Sequence, residues 1–161
     1  MKIPKQDKPI FSKKAGSFSN TAQRTVQDWT EKGLIICETR GSGHRRHYTP
    51  LNCIEIGVVK SLTRERLPIP MIKEIMDHLR TFSPSVLERC LENDISHLVV
   101  KITADGNIDK YGIYTHGYMK NERLTASDFK EWQAMTKPTP GGKVLILDLG
   151  DIARNVLRAM G

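Results

Sequence analysis

The sequence predicts an α+β fold in two parts: a basic, mostly helical N-terminal domain bearing a β-hairpin, and a small C-terminal α+β domain. Three observations predict it. Apolar residues recur at helical spacing as far as about residue 94 and change to strand-like runs from His97. The whole net charge of +7 lies in the first half, where residues 1–80 hold fifteen Lys and Arg against eight Asp and Glu; residues 81–161 hold ten of each sign. Pro and Gly fall between the periodic stretches, at Pro68, Pro70, Pro84 and Pro138 to Gly142, as they do at element boundaries.

Residues 1–10, rich in Lys and with two Pro, read as a flexible basic arm. Phe11 to Phe18 reads as a short helix with Phe11, Ala15 and Phe18 on one side. Ser19-Asn20 is a turn signal, and either residue suits the cap of the next helix. In Thr21 to Lys32 the residues Ala22, Val26 and Trp29, with Thr25, recur at helical spacing and should face a core. Gln23, Arg24, Gln27 and Asp28 should face away. Gly33 suits the position just past a helix end.

Leu34 to Cys37 then reads as a strand, Gly41-Ser42-Gly43 as a tip, and His44 to Tyr48 as the return strand of a hairpin. Thr49 or Asn52 starts a helix carrying Ile54, Val58, Val59 and Leu62, ended by Arg64-Glu65-Arg66 and Pro68. Ile72, Ile75, Met76 and Leu79 form a further amphipathic stripe. These elements make one domain over 11–82. Ser83-Pro84 opens a helix to about Asp94 with Val86, Leu87, Cys90 and Leu91 apolar, a connecting or dimerisation helix within 83–96.

The second domain spans 97–161. Leu98 to Ile102 is a strand, Ala104 to Asn107 a hairpin turn, and Ile108 to Tyr114 the return strand. A helix starts near Thr125 to Asp128 and runs through Phe129 and Trp132. Lys143 to Leu149 is a buried strand. Asp151 caps a last helix with Ile152, Val156, Leu157 and Met160 on its apolar side.

Several function classes are excluded at this level. The longest aliphatic run, Val144 to Leu147, is too short for a membrane span, and no apolar leader follows the basic start, so a cytosolic chain is expected. Cys37, Cys53 and Cys90 are too scattered for a disulfide framework and are expected reduced and packed. His44 and His47 would point to opposite faces of a strand, with no third ligand near, so no metal is expected. Gly41-x-Gly43 lacks the strand-before, helix-after context of a dinucleotide loop. Asp148 and Asp151 read as a surface residue and a helix cap. No residue constellation supports an enzyme or a cofactor.

Short helix, turn, helix, basic hairpin, helix, helix is the order of a winged helix-turn-helix, and double-stranded DNA is its natural partner. A helix fits the major groove and reads base edges with polar side chains, while Arg on a hairpin grips phosphates beside it. Four groups of residues point further. They are Arg24-Thr25-Val26 with Trp29; Gly33-Leu34-Ile35; Arg40 with Arg46-His47-Tyr48-Thr49; and Val59-Lys60-Ser61-Leu62 with Ile69, Ile72 and Ile75. Together they resemble, in turn, the recognition-helix core, helix exit, wing and following helix pair of the MerR family of bacterial transcription regulators. The resemblance covers about Phe11 to Leu79. The chain departs from the family at Gln27 and Asp28, where Arg and an aromatic are common. It departs again at Asn20 or Arg66, where a small turn residue is usual, and at Thr21, where an apolar one is.

The candidate DNA-binding residues follow. Asn20, Thr21, Gln23, Arg24 and Gln27 face the groove or adjacent phosphates, the alternative being a solvated helix face. Asp28 would repel phosphate and should orient a neighbouring Arg or Gln instead. Arg45 and Arg46 alternate in an extended segment and so point to opposite faces. Arg46 matches the family wing position, with Arg40 across the hairpin. Tyr48 either sets its hydroxyl on a phosphate or only packs. Lys13 and Lys14 either touch the DNA backbone or belong to a solvated arm.

The resemblance implies a homodimer on a near-palindromic operator whose DNA is distorted on binding. It also implies a C-terminal part that senses an effector. The cysteine spacing does not resemble the metal-sensing pattern, which leaves a small molecule or a protein. Tyr111, Tyr114, Tyr118 and Trp132 would line a pocket or simply form that domain's core. The alternative function keeps DNA binding without ligand control, as an architectural or recombination and segregation accessory protein.

Overall fold

A computed structural model describes residues 3, 8–37, 45–81, 84–92, 96–115 and 126–161. Arg40, the 41–44 tip, Ser83, Tyr118 and Thr125 lie outside the described residues, as do most of the expected N-terminal arm and the side chains of Cys90, Tyr114 and Phe129. Two compact units emerge, one made of Lys2–Glu88 with Asp151–Gly161, the other of Arg89–Gly150.

The first unit begins with α1 (Ser12–Ser17) and α2 (Gln23–Glu31). The turn between them is tight. Thr21 N–H donates to the Gly16 carbonyl over 2.8 Å, and a Cβ on Gly16 would lie 2.3 Å from the Thr21 oxygen. Only glycine fits there, and the chain reverses at Asn20, whose φ of 52° is the left-handed conformation that Asn tolerates. Neither Ser19 nor Asn20 caps α2, contrary to the sequence expectation. Its N-cap is Ala22, with no side-chain bond, and Ala22 is exposed rather than in the core. The turn uses the Ser19 and Asn20 backbone for other bonds, so the helix starts two residues later. Val26 and Trp29 are buried as expected, and Gly33 leaves the helix at φ +71°.

Helix α3 (Pro50–Arg64) has a full capping box: Thr49 Oγ1 accepts from Asn52 N–H at 3.1 Å, and Asn52 Oδ1 accepts from Thr49 N–H at 3.0 Å. After a turn at Arg66 (φ 60°), α4 (Ile69–Leu79) buries Ile72, Ile75, Met76 and Leu79 completely. Glu55, 2% exposed among the apolar residues of α3, is held by Arg80 at 2.8 Å and by the Asn52 amide at 2.9 Å. The same Asn52 amide donates to the Ile36 carbonyl at 2.9 Å, and Arg80 donates to the Leu34 carbonyl.

These bonds explain a correction. Leu34 to Cys37 is not a strand. Leu34 N–H returns to the Trp29 carbonyl at 2.8 Å, and the 34 and 36 carbonyls are taken by Arg80 and Asn52. On the other arm, Tyr48 forms its β-bridge with Ile10, donating its N–H to the Ile10 carbonyl at 2.9 Å.

Helix α5 (Val86–Glu92) is capped by Ser85 and Glu88, and the boundary between the units falls within it. In the second unit β1 (Ser96–Ile102), β2 (Ile108–Thr115) and β3 (Lys143–Asp148) form an antiparallel sheet in the order β2-β1-β3. Leu98, Val99 and Val100 of the central strand are fully buried. The β1–β2 turn falls at Thr103–Asn107 as read from sequence, with Gly106 at φ +85°. Helix α6 (Ala126–Thr136) packs on β1, with the Trp132 ring edge-on to His97.

The last helix, α7 (Leu149–Met160), starts at Leu149, so Asp151 sits in its first turn and is not its cap. It was expected within the C-terminal domain. Residues 151–161 instead group with the first unit, because α7 lies against α3 at Gly57: a Cβ there would come within 2.8 Å of Ile152 and 3.3 Å of Val156.

Two stability predictions follow from these contacts. Gly16→Ala should cost about 1–3 kcal/mol, read as a lowered urea midpoint, because the new methyl meets backbone rather than a movable side chain. Arg80→Met should cost about 3–5 kcal/mol by stranding the Glu55 carboxylate, whereas the double change Glu55→Leu with Arg80→Met should recover most of that loss.

Candidate nucleic-acid interface

Helix α2 divides its residues cleanly. Val26 and Trp29 face the core, Gln23, Arg24 and Glu31 are exposed, and Thr25, Gln27, Asp28 and Thr30 are half-buried. Its first turn has Arg24 and no acid. Its second turn is acidic but paired: Asp28 accepts from Lys32 at 2.7 Å, and Glu31 lies 3.5 Å from the Arg46 guanidinium. Asp28 therefore holds a lysine, not the Arg or Gln expected.

The turn leading into α2 is braced from α3. The Lys60 ammonium donates to the Ser19 carbonyl at 2.7 Å and to the Asn20 carbonyl at 3.0 Å. Ser19 and Thr21 share a hydroxyl bond of 3.1 Å. Asn20 is thus a backbone reversal with an exposed side chain, and Thr21 is half-buried beside it. Lys60 was missed as a site residue, since nothing local marks a lysine some forty positions from the turn it braces. Lys14, in the last turn of α1, is exposed with its ammonium 5.9 Å above the Phe18 ring.

Residues 45–48 alternate as an extended segment should. On one side the Arg45 guanidinium lies 5.8 Å over the Phe11 ring and His47 meets the same ring edge-on at 5.3 Å. On the other, Arg46 Nη1 donates to the Gln27 carbonyl at 3.3 Å and the Tyr48 hydroxyl lies 3.0 Å from Thr30 Oγ1. Thr30 Oγ1 also donates to the Val26 carbonyl at 2.8 Å. Tyr48 is 3% exposed, and its hydroxyl is engaged within the fold by Thr30 and Cys37. Of the candidates, then, Arg46, Tyr48 and the Gln27 backbone come together, whereas Arg45 turns to Phe11 on the other side of the segment.

Burial pushes the Cys37 thiol and the Tyr48 phenol above their ordinary ranges, and pushes Cys53 up to about 12. Arg46 and the Tyr48 hydroxyl act against burial at Cys37 and are outweighed. Among the described residues no group of His, Cys, Asp and Glu is arranged to hold a metal, and no helix is long and apolar enough to cross a membrane.

Residues 13–79 match the family model described as MerR HTH family regulatory protein. Over this segment, less than half of the chain, the sequence is similar to the MerR helix-turn-helix family. The match runs from the second residue of α1 to the last of α4 and so includes the Gly16 turn, α2 and the arm at 45–48. It coincides with the stretch on which the sequence resemblance was drawn. A comparison with curated proteins found no match.

The raised pKa values have a definite sign. The folded chain keeps protons that the unfolded chain releases, so stability is whole below the ordinary cysteine value of 9.0 and falls as pH rises beyond it. The urea midpoint should therefore drop from about pH 9 upward, toward the folded Cys53 value of about 12. Cys53→Ala should lower the midpoint overall yet flatten that alkaline fall.

Proposed function

We propose that this chain is a DNA-binding transcription regulator of the MerR type, acting in the cytoplasm on double-stranded DNA. It binds as a homodimer, so that two-fold protein symmetry meets a near-palindromic operator. The observation that carries the reading is the family match laid over a helix-turn-helix whose α2 starts with exposed Gln23 and Arg24. Helix α2 enters the major groove with Gln23, Arg24 and the Gln27 side chain toward base edges, while Asn20 and Thr21 abut the phosphates. Lys14 and Arg45, both exposed, supply backbone contacts, together with Arg40.

Binding distorts the promoter, so deformability of the operator contributes to affinity. The unit Arg89–Gly150 lies outside the family match and is the place for a small-molecule or protein effector. The chemistry is binding rather than catalysis.

The test is selection of bound duplexes from a random pool, repeated across salt concentrations. The selected site should be near-palindromic, and log affinity should fall linearly with log salt. Arg24→Ala should cost about 1–3 kcal/mol on the selected site and relax the choice of base at one position of each half-site. Binding without salt dependence, or an unchanged sequence preference in this variant, would count against the reading.

A further inference from the structure

We infer that Arg46 and Tyr48 are positioning residues that set the recognition helix, and that Arg45 is the phosphate-facing cation of the same segment. This rests on the DNA-binding reading and divides the labour within it. Successive side chains of an extended segment serve opposite faces, and here the two faces differ in kind. Arg46 and Tyr48 both face α2 and bond to consecutive parts of its second turn, at the Gln27 carbonyl, the Glu31 carboxylate and Thr30 Oγ1. Arg45 and His47 face Phe11, itself 38% exposed.

Charge and burial point the same way. The Arg46 charge is already opposed by Glu31, and its side chain is 32% exposed. Its Nη1 makes both contacts with α2, so that edge of the guanidinium is turned to the helix. Tyr48 is 3% exposed with its hydroxyl against Thr30, out of reach of a phosphate. Arg45 is exposed and its guanidinium lies over the Phe11 ring, on the side of the segment away from α2. The orientation of α2 therefore depends on the segment behind it: bonds at Thr30 and Gln27 fix its second turn, as Lys60 fixes the turn ahead of its first.

The experiment measures the salt dependence and the sequence preference of the intact protein on two duplexes, the one the wild type selects and a scrambled one of equal length. Arg45→Ala should lower the slope of log affinity against log salt by about 0.9, one phosphate contact, and weaken both duplexes alike. Arg46→Ala should leave the slope unchanged and reduce the preference for the selected duplex by about threefold to tenfold, the scale of one lost hydrogen bond holding the reading helix. Arg46→Lys, which keeps a donor for the Gln27 carbonyl, should restore part of that preference. Thr30→Val removes the other tie on the same face and should behave like Arg46→Ala; it decides the matter should Arg46→Ala fail to fold. A slope lowered by Arg46→Ala as much as by Arg45→Ala, or an unchanged preference in both Arg46→Ala and Thr30→Val, overturns the inference while leaving the DNA-binding reading intact. A wild-type protein with no salt-sensitive duplex affinity overturns both.

Discussion

A carboxylate buried in an apolar helix cannot stay there alone. Glu55 lies between Ile54 and Ile56, both fully buried, and its charge is tolerable only because Arg80 and Asn52 meet it. Those partners are not free to move. Asn52 is also half of the capping box that starts α3, and Arg80 follows the last residue of α4. Both also bind carbonyls of the segment leaving α2, at Leu34 and Ile36. One ion pair thus fixes the helix pair α3–α4 and the root of the arm that returns to α2. Such a pair adds little net stability over an apolar replacement, and its consequence here is geometric: it gives the chain after Gly33 a single path.

The helix-turn-helix corner is governed by a different constraint, the approach of Thr21 to Gly16. At that distance the turn has no room for a side chain, and the reversal falls to Asn20. The carbonyls turned outward by this geometry would be poorly satisfied, and Lys60 takes two of them. A lysine of α3 thereby ties the corner to the same helix that carries Glu55, so corner and arm are both referred to α3. The final helix adds a third attachment to α3 through Ile152 and Val156 at Gly57.

What could be read from the sequence followed from periodicity and backbone chemistry. The stripe Ile72, Ile75, Met76 and Leu79, the start of α3 at Thr49 or Asn52, the left-handed Asn20 and the 104–107 turn all depend on nearby residues, and all stand where the pattern put them. The errors arose where distant groups claimed the backbone. Leu34 to Cys37 has the composition of a strand, yet Arg80 and Asn52 take carbonyls that a strand partner would need. Ala22 has the spacing of a core residue, yet the turn delays the helix and leaves it outside. The last helix reads as part of its sequence neighbourhood because nothing local reports that Gly57, nearly a hundred residues earlier, offers it a close seat. A Glu in the middle of Cys-Ile-Glu-Ile-Gly-Val-Val demands a buried cation, and Arg80 directly after an apolar stripe is the kind of residue that answers it.

The excess of basic residues in the first half, which first suggested a polyanion, takes on a finer form along α2. The second turn carries Asp28 and Glu31, which would repel phosphate were they bare. Lys32 and Arg46 neutralise them, so that end of the helix is close to electrically silent. The first turn has Arg24, no acid and no side-chain cap on its N–H groups, and it sits at the positive end of the helix dipole. Attraction to a polyanion is therefore concentrated at the start of α2, beside the Gly16 corner, and fades toward its end. An approaching anion is drawn to the N-terminal residues of α2, and the second turn is left to be held from behind by the arm.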